Sequence, residues 1–309
     1  MTNPGFRDPR ATEQRNPRSE RIDVASSLEI VDIMNVEDRT LPEIVHGQRE
    51  QIARTIDLIV GAFKDGGRLV YIGAGTSGRL GVLDASECPP TFSVPPTMVV
   101  GIIAGGYGAL VKSAEGAEDD VNAGMAAMDT AEVTKRDVVV GIAASGTTPY
   151  VRAALGKAQT LGAKTVLLSC STPPKVLSDT CDVIINPITG PEVITGSTRL
   201  KAGTATKLVL NMLSTGAMLR LGKVYGNLMV DLMALSAKLH DRGERIVMEV
   251  GGVSREDARA AIDRAGGSVK VAIVMVRRKV SVEDARTLLN QAAGFVRPVV
   301  GDPPAVARA

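Results

Sequence analysis

Hydrophobic positions along this chain change their period several times, and each change marks an element. Up to about residue 25 there is no apolar period, and Pro and Arg recur among polar residues, which predicts a mobile or partner-clasping arm. Leu28, Ile30, Val31 and Ile33 then begin a helical spacing with Ser27 as its cap. A longer period through Ile44, Val45, Ile52, Ile56, Ile59, Val60 and Phe63 follows Pro42 and stops at Gly66-Gly67. Five short β-branched runs come next, at 69–72, 98–103, 138–142, 165–169 and 183–185, with helically spaced stretches between them. That alternation predicts βαβ units and an α/β fold, doubly wound, with a mostly parallel five-stranded sheet covered on both faces.

A helical region rich in Leu, Met and Ala is predicted over about 197–239. After a breaker at 240–243, three short periods (246–250, 256–265 and 280–289) predict a compact helical tail. Ser254 and Ser281 each precede an acid by three residues, Asp257 and Asp284, as in a capping box. The expected domains are an N-terminal arm (1–25), a main domain with its N-terminal helices (26–239) and a C-terminal helical subdomain (240–309).

Composition narrows the functions open to such a fold. With 309 residues the chain can hold one large α/β domain, or one with a smaller companion. Lys plus Arg number 36 against 34 for Asp plus Glu, so the net charge of +2 supplies no overall field for nucleic acid or an anionic membrane. Any anion must be met by a local site. Aromatic residues make up 3% of the chain and Trp is absent, which removes the stacking platforms of single-strand nucleic-acid binders. Recognition is left to backbone amides, hydroxyls and charges. The 3 cysteines, with no CxxC and no His nearby, argue against a disulfide framework or a zinc knuckle and for a reducing, cytoplasmic compartment. The polar, Arg-rich start lacks an apolar signal core, and Gly interrupts the apolar runs, so neither a secretion signal nor a transmembrane span is expected.

The run Gly73-Ala74-Gly75-Thr76-Ser77-Gly78 follows a predicted strand, opens a helix and matches GxGxxG. A dinucleotide site would need an acid about twenty residues on, at the end of the next strand. The chain has Ala104-Gly105-Gly106 there. A phosphate monoester meets the same physics, through unpaired N–H groups at a helix N-terminus and the Thr76 and Ser77 hydroxyls. The plainer alternative is a tight strand-to-helix turn with a Ser cap. It weakens because the pattern recurs in Ala143-Ala144-Ser145-Gly146-Thr147-Thr148-Pro149 and in Thr195-Gly196-Ser197-Thr198, the latter followed by Arg199 and Lys201. Ligands of open α/β sheets bind outside the carboxyl ends of strands. Three hydroxyl-rich turns there point to one phosphosugar pocket.

Two acidic features could serve proton chemistry. Glu87 is expected just past the first of these helices, where Pro89-Pro90 ends it, and its other reading is a solvated turn acid. Glu115 and Glu118 are expected at the start of a helix after the second strand, where simple dipole complementation is the other reading. Two carboxylates in one water-poor pocket push each other's pKa values apart, giving an acid and a base. His46 reads as a surface or interface position, His240 as a helix-end capping position and Cys88 as lacking an activating His. No acidic or His spacing fits a metal, and none is predicted.

The run from Tyr71 to Thr91, with Gly73-Ala74-Gly75-Thr76-Ser77-Gly78-Arg79 and Asp84-Ala85-Ser86-Glu87-Cys88-Pro89-Pro90 inside it, resembles the signature of the N-acetylmuramic acid 6-phosphate etherases. Glu115-Gly116-Ala117-Glu118-Asp119, Ala143-Ala144-Ser145-Gly146, Gly190-Pro191-Glu192 and Gly222-Lys223-Val224-Tyr225-Gly226-Asn227 extend the likeness over most of the chain. The resemblance implies a sugar-isomerase-type fold, a homodimer, a small-molecule phosphosugar substrate and no cofactor. It implies cleavage of the D-lactyl ether of N-acetylmuramic acid 6-phosphate with water in cell-wall recycling. By the same resemblance Glu118 is the base that takes the C2 proton of the ring-opened sugar, and Glu87 the acid that protonates the departing lactate. Phosphate binding falls on Ser77, Ser145 and Thr148, with Thr76 and Ser197 beside them. Thr147 departs from the family pattern, which carries Arg after Ser145-Gly146, and Arg79, Arg199 or Lys201 are candidates to replace that cation. A phosphosugar isomerase, or a non-catalytic sensor of the glucokinase regulatory protein kind, would share the fold. Release of D-lactate separates both from an etherase.

Overall fold

The computed structural model describes residues 10–173, 175, 180–232 and 237–306. The chain divides into two compact units, Met1–Ser86 with Pro96–Ser214, and Glu87–Pro95 with Thr215–Ala309. Residues 1–9 of the expected arm and 233–236 of the expected long helix lie outside the described residues. Among the described residues no helix is long and apolar enough to cross a membrane.

In the first unit α1 (Ser27–Asp38) starts from Ser26, not from Ser27 as the cap. The Ser26 hydroxyl accepts from the Glu29 amide and the Glu29 carboxylate accepts from the Ser26 amide, a reciprocal box that only this register allows. The longer period expected next is two helices, α2 (Leu41–His46) and α3 (Arg49–Lys64). They are interrupted at Gly47, a residue about 1 kcal/mol worse than Ala in a helix interior.

Strands β1 (Leu69–Gly73), β2 (Val99–Ile103), β3 (Val138–Ile142), β4 (Lys164–Leu168) and β5 (Val183–Ile185) pair in the order β2-β1-β3-β4-β5, all parallel. Helices α4 (Gly75–Phe92), α5 (Val121–Thr130), α6 (Pro149–Thr160) and α7 (Lys201–Arg220) complete the alternation. Successive strand residues face opposite ways. Gly81 of α4 lies over Tyr71 and Ile142, while Val151 and Leu155 of α6 lie over Gly141, so helices cover both faces. The doubly wound parallel sheet expected from the pattern is the observed one. Its order reverses beside β1, because β2 and β3 flank β1 on opposite sides. A crevice therefore opens at the carboxyl ends of β1 and β3.

Helix α4 differs from expectation at its far end. It continues through Pro89 and Pro90 to Phe92, so Glu87 lies inside the helix and not in a turn after it. The prolines remove donors only from the last turn, and Ser93, at a φ of 51°, ends the helix just beyond.

In the second unit the expected continuous helix over 197–239 gives way after Arg220 to a hairpin of β6 (Val224–Tyr225) and β7 (Leu228–Met229). Gly226-Asn227 makes its two-residue turn, a composition suited to hairpins. Helices α8 (Ala237–Gly251), α9 (Arg255–Arg264), α10 (Val269–Arg278), α11 (Val282–Gln291) and α12 (Arg297–Val300) follow. Ser254 and Ser281 cap α9 and α11, accepting from the Asp257 and Asp284 amides as predicted. Helix α10 has no counterpart in the predicted periods, because Val271 to Val276 form an uninterrupted apolar run in which no period can be read.

Candidate functional site

The first two hydroxyl-rich turns each join a strand to a helix at the crevice end of the sheet, and the third lies on the longer connection from β5 to α7. The first turn joins β1 to α4 and carries Thr76 and Ser77 in the opening turn of the helix. It is tight because Gly73 and Gly78 touch. A Cβ on Gly78 would stand 2.6 Å from the Gly73 carbonyl oxygen. The second turn joins β3 to α6. Gly146, at a φ of 72°, donates to Ala143 O at 2.8 Å and bends the chain so that Ser145 Oγ and Thr147 Oγ1 lie 2.9 Å apart. The Thr147 amide also donates to Ser145 Oγ at 3.2 Å. Thr148 is the N-cap of α6 and makes no side-chain capping bond, and Pro149 opens the helix.

The third turn feeds α7. Glu192, fully buried, accepts from the Lys201 and Ala202 amides at 2.9 Å each and so closes the N-terminus of α7. Burial pushes the Glu192 carboxyl up, and those two amides and the Lys201 charge only partly oppose it. Lys201 is not a free cation for ligand. Its ammonium is buried, donating to Glu37 Oε2 at 2.6 Å and to Pro191 O at 3.1 Å.

The first two turns and part of the third meet around one cleft of about 350 Å³. Thr76, Ser77, Ser145, Thr148 and Glu118 are in its wall, with Thr147 and Thr198 beside them. Ser197 and Glu87 are not in that wall. Ser197 is half-buried, its amide donating to Ile194 O at 2.9 Å, and Glu87 is exposed on α4. A second cleft of about 260 Å³ adjoins the first, sharing Ala74, Gly75 and Glu118 with it and adding Arg79 and Glu115. Arg79 Nε donates to Leu110 O at 3.0 Å, which ties it to the segment after β2.

Glu118 therefore stands on the border between two clefts, and the backbone explains how. Gly116, left-handed at a φ of 75°, turns the chain into a single 3-10 turn, Ala117–Asp119, ahead of α5. Asp120, not Glu118, caps α5 by accepting from the Ala123 amide at 2.8 Å. Dipole complementation thus falls to Asp120, and Glu118 is left exposed at the cleft rim. The middle of α4 is held by a buried acceptor. Asp84 receives hydrogen bonds from Tyr71 Oη (2.9 Å), Asn211 Nδ2 (2.8 Å) and Ser214 Oγ (3.1 Å). Burial raises the Asp84 carboxyl against the pull of those three donors.

Two wall residues lay outside the sequence expectation. Arg10 and Glu13 come from the stretch expected to be a mobile or partner-clasping arm, and both line the first cleft. No local pattern marks them, since the loop they pack on is far along the chain.

A parallel sheet with its strand order reversed beside β1, and hydroxyl-bearing turns grouped at that end, make the first unit a doubly wound α/β domain with a ligand crevice. Residues 51–159 match the family model for the glucokinase regulatory protein N-terminal SIS domain. An N-acetylmuramic acid 6-phosphate etherase of Serratia proteamaculans is 56% identical over 265 residues, covering 86% of this chain and 89% of that one. The etherase of Yersinia pestis is 54% identical, over 86% of this chain and 90% of its own. A phosphoheptose isomerase structure from Neisseria gonorrhoeae aligns with a TM-score of 0.47 at 14% identity, over 62% of this chain and 98% of its own. The chain belongs to the N-acetylmuramic acid 6-phosphate etherase family.

Proposed function

We propose that this protein cleaves the D-lactyl ether of N-acetylmuramic acid 6-phosphate with water, giving N-acetylglucosamine 6-phosphate and D-lactate, in the cytoplasm and as a homodimer. The observation that carries this reading is the placement of Glu118 on the border between a hydroxyl-lined cleft and a second cleft holding Arg79. The Ser77, Ser145 and Thr148 turns suit the phosphate, with Thr76 and Ser197 nearby. The reacting carbons of the ring-opened sugar then extend towards Glu118.

The aldehyde makes the C2 proton acidic, and the Glu118 carboxylate removes it. The electron pair moves to expel lactate from C3, whose ether oxygen takes a proton from an acid; the family resemblance gives that role to Glu87, which lies outside the wall of the first cleft. Water then adds its oxygen to C3 of the unsaturated aldehyde, losing a proton to the Glu87 carboxylate, and Glu118 returns its proton to C2. Every proton is carried by a side chain or by water, so the reading asks for no cofactor.

The test is a coupled D-lactate assay on purified protein, with Glu87→Gln and Glu118→Gln beside the wild type. D-lactate release by the wild type and a fall of roughly 10²- to 10⁴-fold in each folded variant are expected. A wild type that binds the sugar phosphate and releases no D-lactate sinks this reading. It would favour the sensor alternative, to which the match with a glucokinase regulatory protein domain also lends support.

A further inference from the structure

The stretch before α1 is a strap fixed along the edge of the first cleft. Three short 3-10 turns, Ala11–Glu13, Pro17–Ser19 and Ile22–Val24, run through it, and Thr12, Asn16 and Ser19 are buried. The Gly196 amide donates to Thr12 O at 3.0 Å, and Ser19 Oγ donates to Val193 O at 2.7 Å. Asn16 Nδ2 donates to Pro191 O at 3.4 Å and to Glu37 Oε2 at 3.0 Å, the same carboxylate that holds buried Lys201. Lifting the strap would orphan several of these buried groups at once.

Glu13 is presented by this strap. Its carboxylate lies over Gly196, where a Cβ would stand 3.0 Å from Oε2, and Gly196 itself has a φ of 73°. A residue with a side chain at 196 would both strain the backbone and crowd the carboxylate. Glu13 lines the same cleft as Ser77, Ser145 and Thr148. An acid there needs a reason, because it repels a phosphate and a lactyl carboxylate alike. Arg10 on the same wall is a cation of the protein itself, so among the groups of a bound ligand an acceptor at Glu13 is left the neutral donors of the sugar. An ionised carboxylate accepts only, whereas Ser and Thr hydroxyls both donate and accept.

We propose that Glu13 is a positioning and specificity residue that accepts a hydrogen bond from a hydroxyl or amide N–H of the sugar. It thereby fixes the carbon chain relative to the phosphate, an inference that rests on the phosphosugar reading above. Calorimetric titration of the full chain with N-acetylglucosamine 6-phosphate, and separately with inorganic phosphate, compares wild type, Glu13→Ala and Glu13→Gln. D-lactate release from N-acetylmuramic acid 6-phosphate is followed alongside.

Glu13→Ala is expected to weaken the sugar phosphate by roughly 10- to 100-fold, the scale of one hydrogen bond to a charged group. Inorganic phosphate should change by less than about twofold, and Glu13→Gln, which keeps an acceptor, should recover part of the loss. Unchanged sugar-phosphate affinity in Glu13→Ala overturns the proposal, and so does an equal loss for inorganic phosphate, which marks a collapsed cleft. If the wild type releases no D-lactate while the Glu13 pattern holds, the etherase reading falls and the positioning role stands.

Discussion

At the scale of single residues, Glu118 owes its place to a neighbour with no functional group. Gly116 adopts a φ of 75°, which costs a residue with a Cβ roughly 1–2 kcal/mol. Gly116→Ala should therefore shift the turn that carries Glu118, lowering kcat/KM in the D-lactate assay by more than its modest fall in Tm would explain. Asp137 shows the opposite case, a charged residue whose role is structural. Its carboxylate accepts from the Arg68 amide at 2.8 Å, from Arg68 Nη2 at 2.9 Å and from the Thr134 amide at 2.9 Å. Burial alone would raise it, but the Arg68 and Thr134 donors and the Arg68 charge outweigh burial and hold it below the usual carboxylate range. Because the folded carboxyl titrates below its unfolded value, the stabilisation is complete above the unfolded range and is lost as pH falls through the folded one. Melting curves should show Asp137→Asn destabilised by about 3 kcal/mol near neutrality. That gap should shrink as pH drops below about 4. Glu118 could be found from its motif, but Glu13 could not, because it acquires meaning only beside Gly196.

At the scale of elements, the strand and turn pattern was legible because each strand is a short β-branched run bounded by Gly or Pro. Helix α4 was read as ending at its Pro pair, yet it runs on to Phe92. Contacts from β1 and α7 anchor its middle through Asp84, and such long-range contacts override local propensity. Asp84→Ala leaves the Tyr71, Asn211 and Ser214 donors without their acceptor and should cost about 3 kcal/mol in denaturant unfolding. Burial raises the folded Asp84 carboxyl above its unfolded value, so the stability contributed by Asp84 declines as pH rises through the folded value. The wild-type advantage over Asp84→Asn should accordingly narrow towards neutral pH.

At the scale of the whole molecule, the chain forms two compact units, and the first cleft is walled entirely by residues of one of them. Ile273, fully buried in α10, belongs to the core of the other. Ile273→Ala should cost about 2–5 kcal/mol through the cavity it leaves. Calorimetry should find inorganic-phosphate affinity unchanged in the folded variant. The sequence by itself determined the parallel α/β architecture, the three hydroxyl-bearing turns and the family, because strand period, turn chemistry and motif spacing are local properties of the chain. Only the tertiary structure decided that Glu118 borders two clefts, that Lys201 is spent on Glu37, that Thr12, Asn16 and Ser19 of the arm are buried, and that Arg10 and Glu13 enter the cleft wall. Each of those depends on residues distant in sequence meeting in a buried or half-buried place. There the energy is set by which donors, acceptors and charges are brought together, and no local period records that.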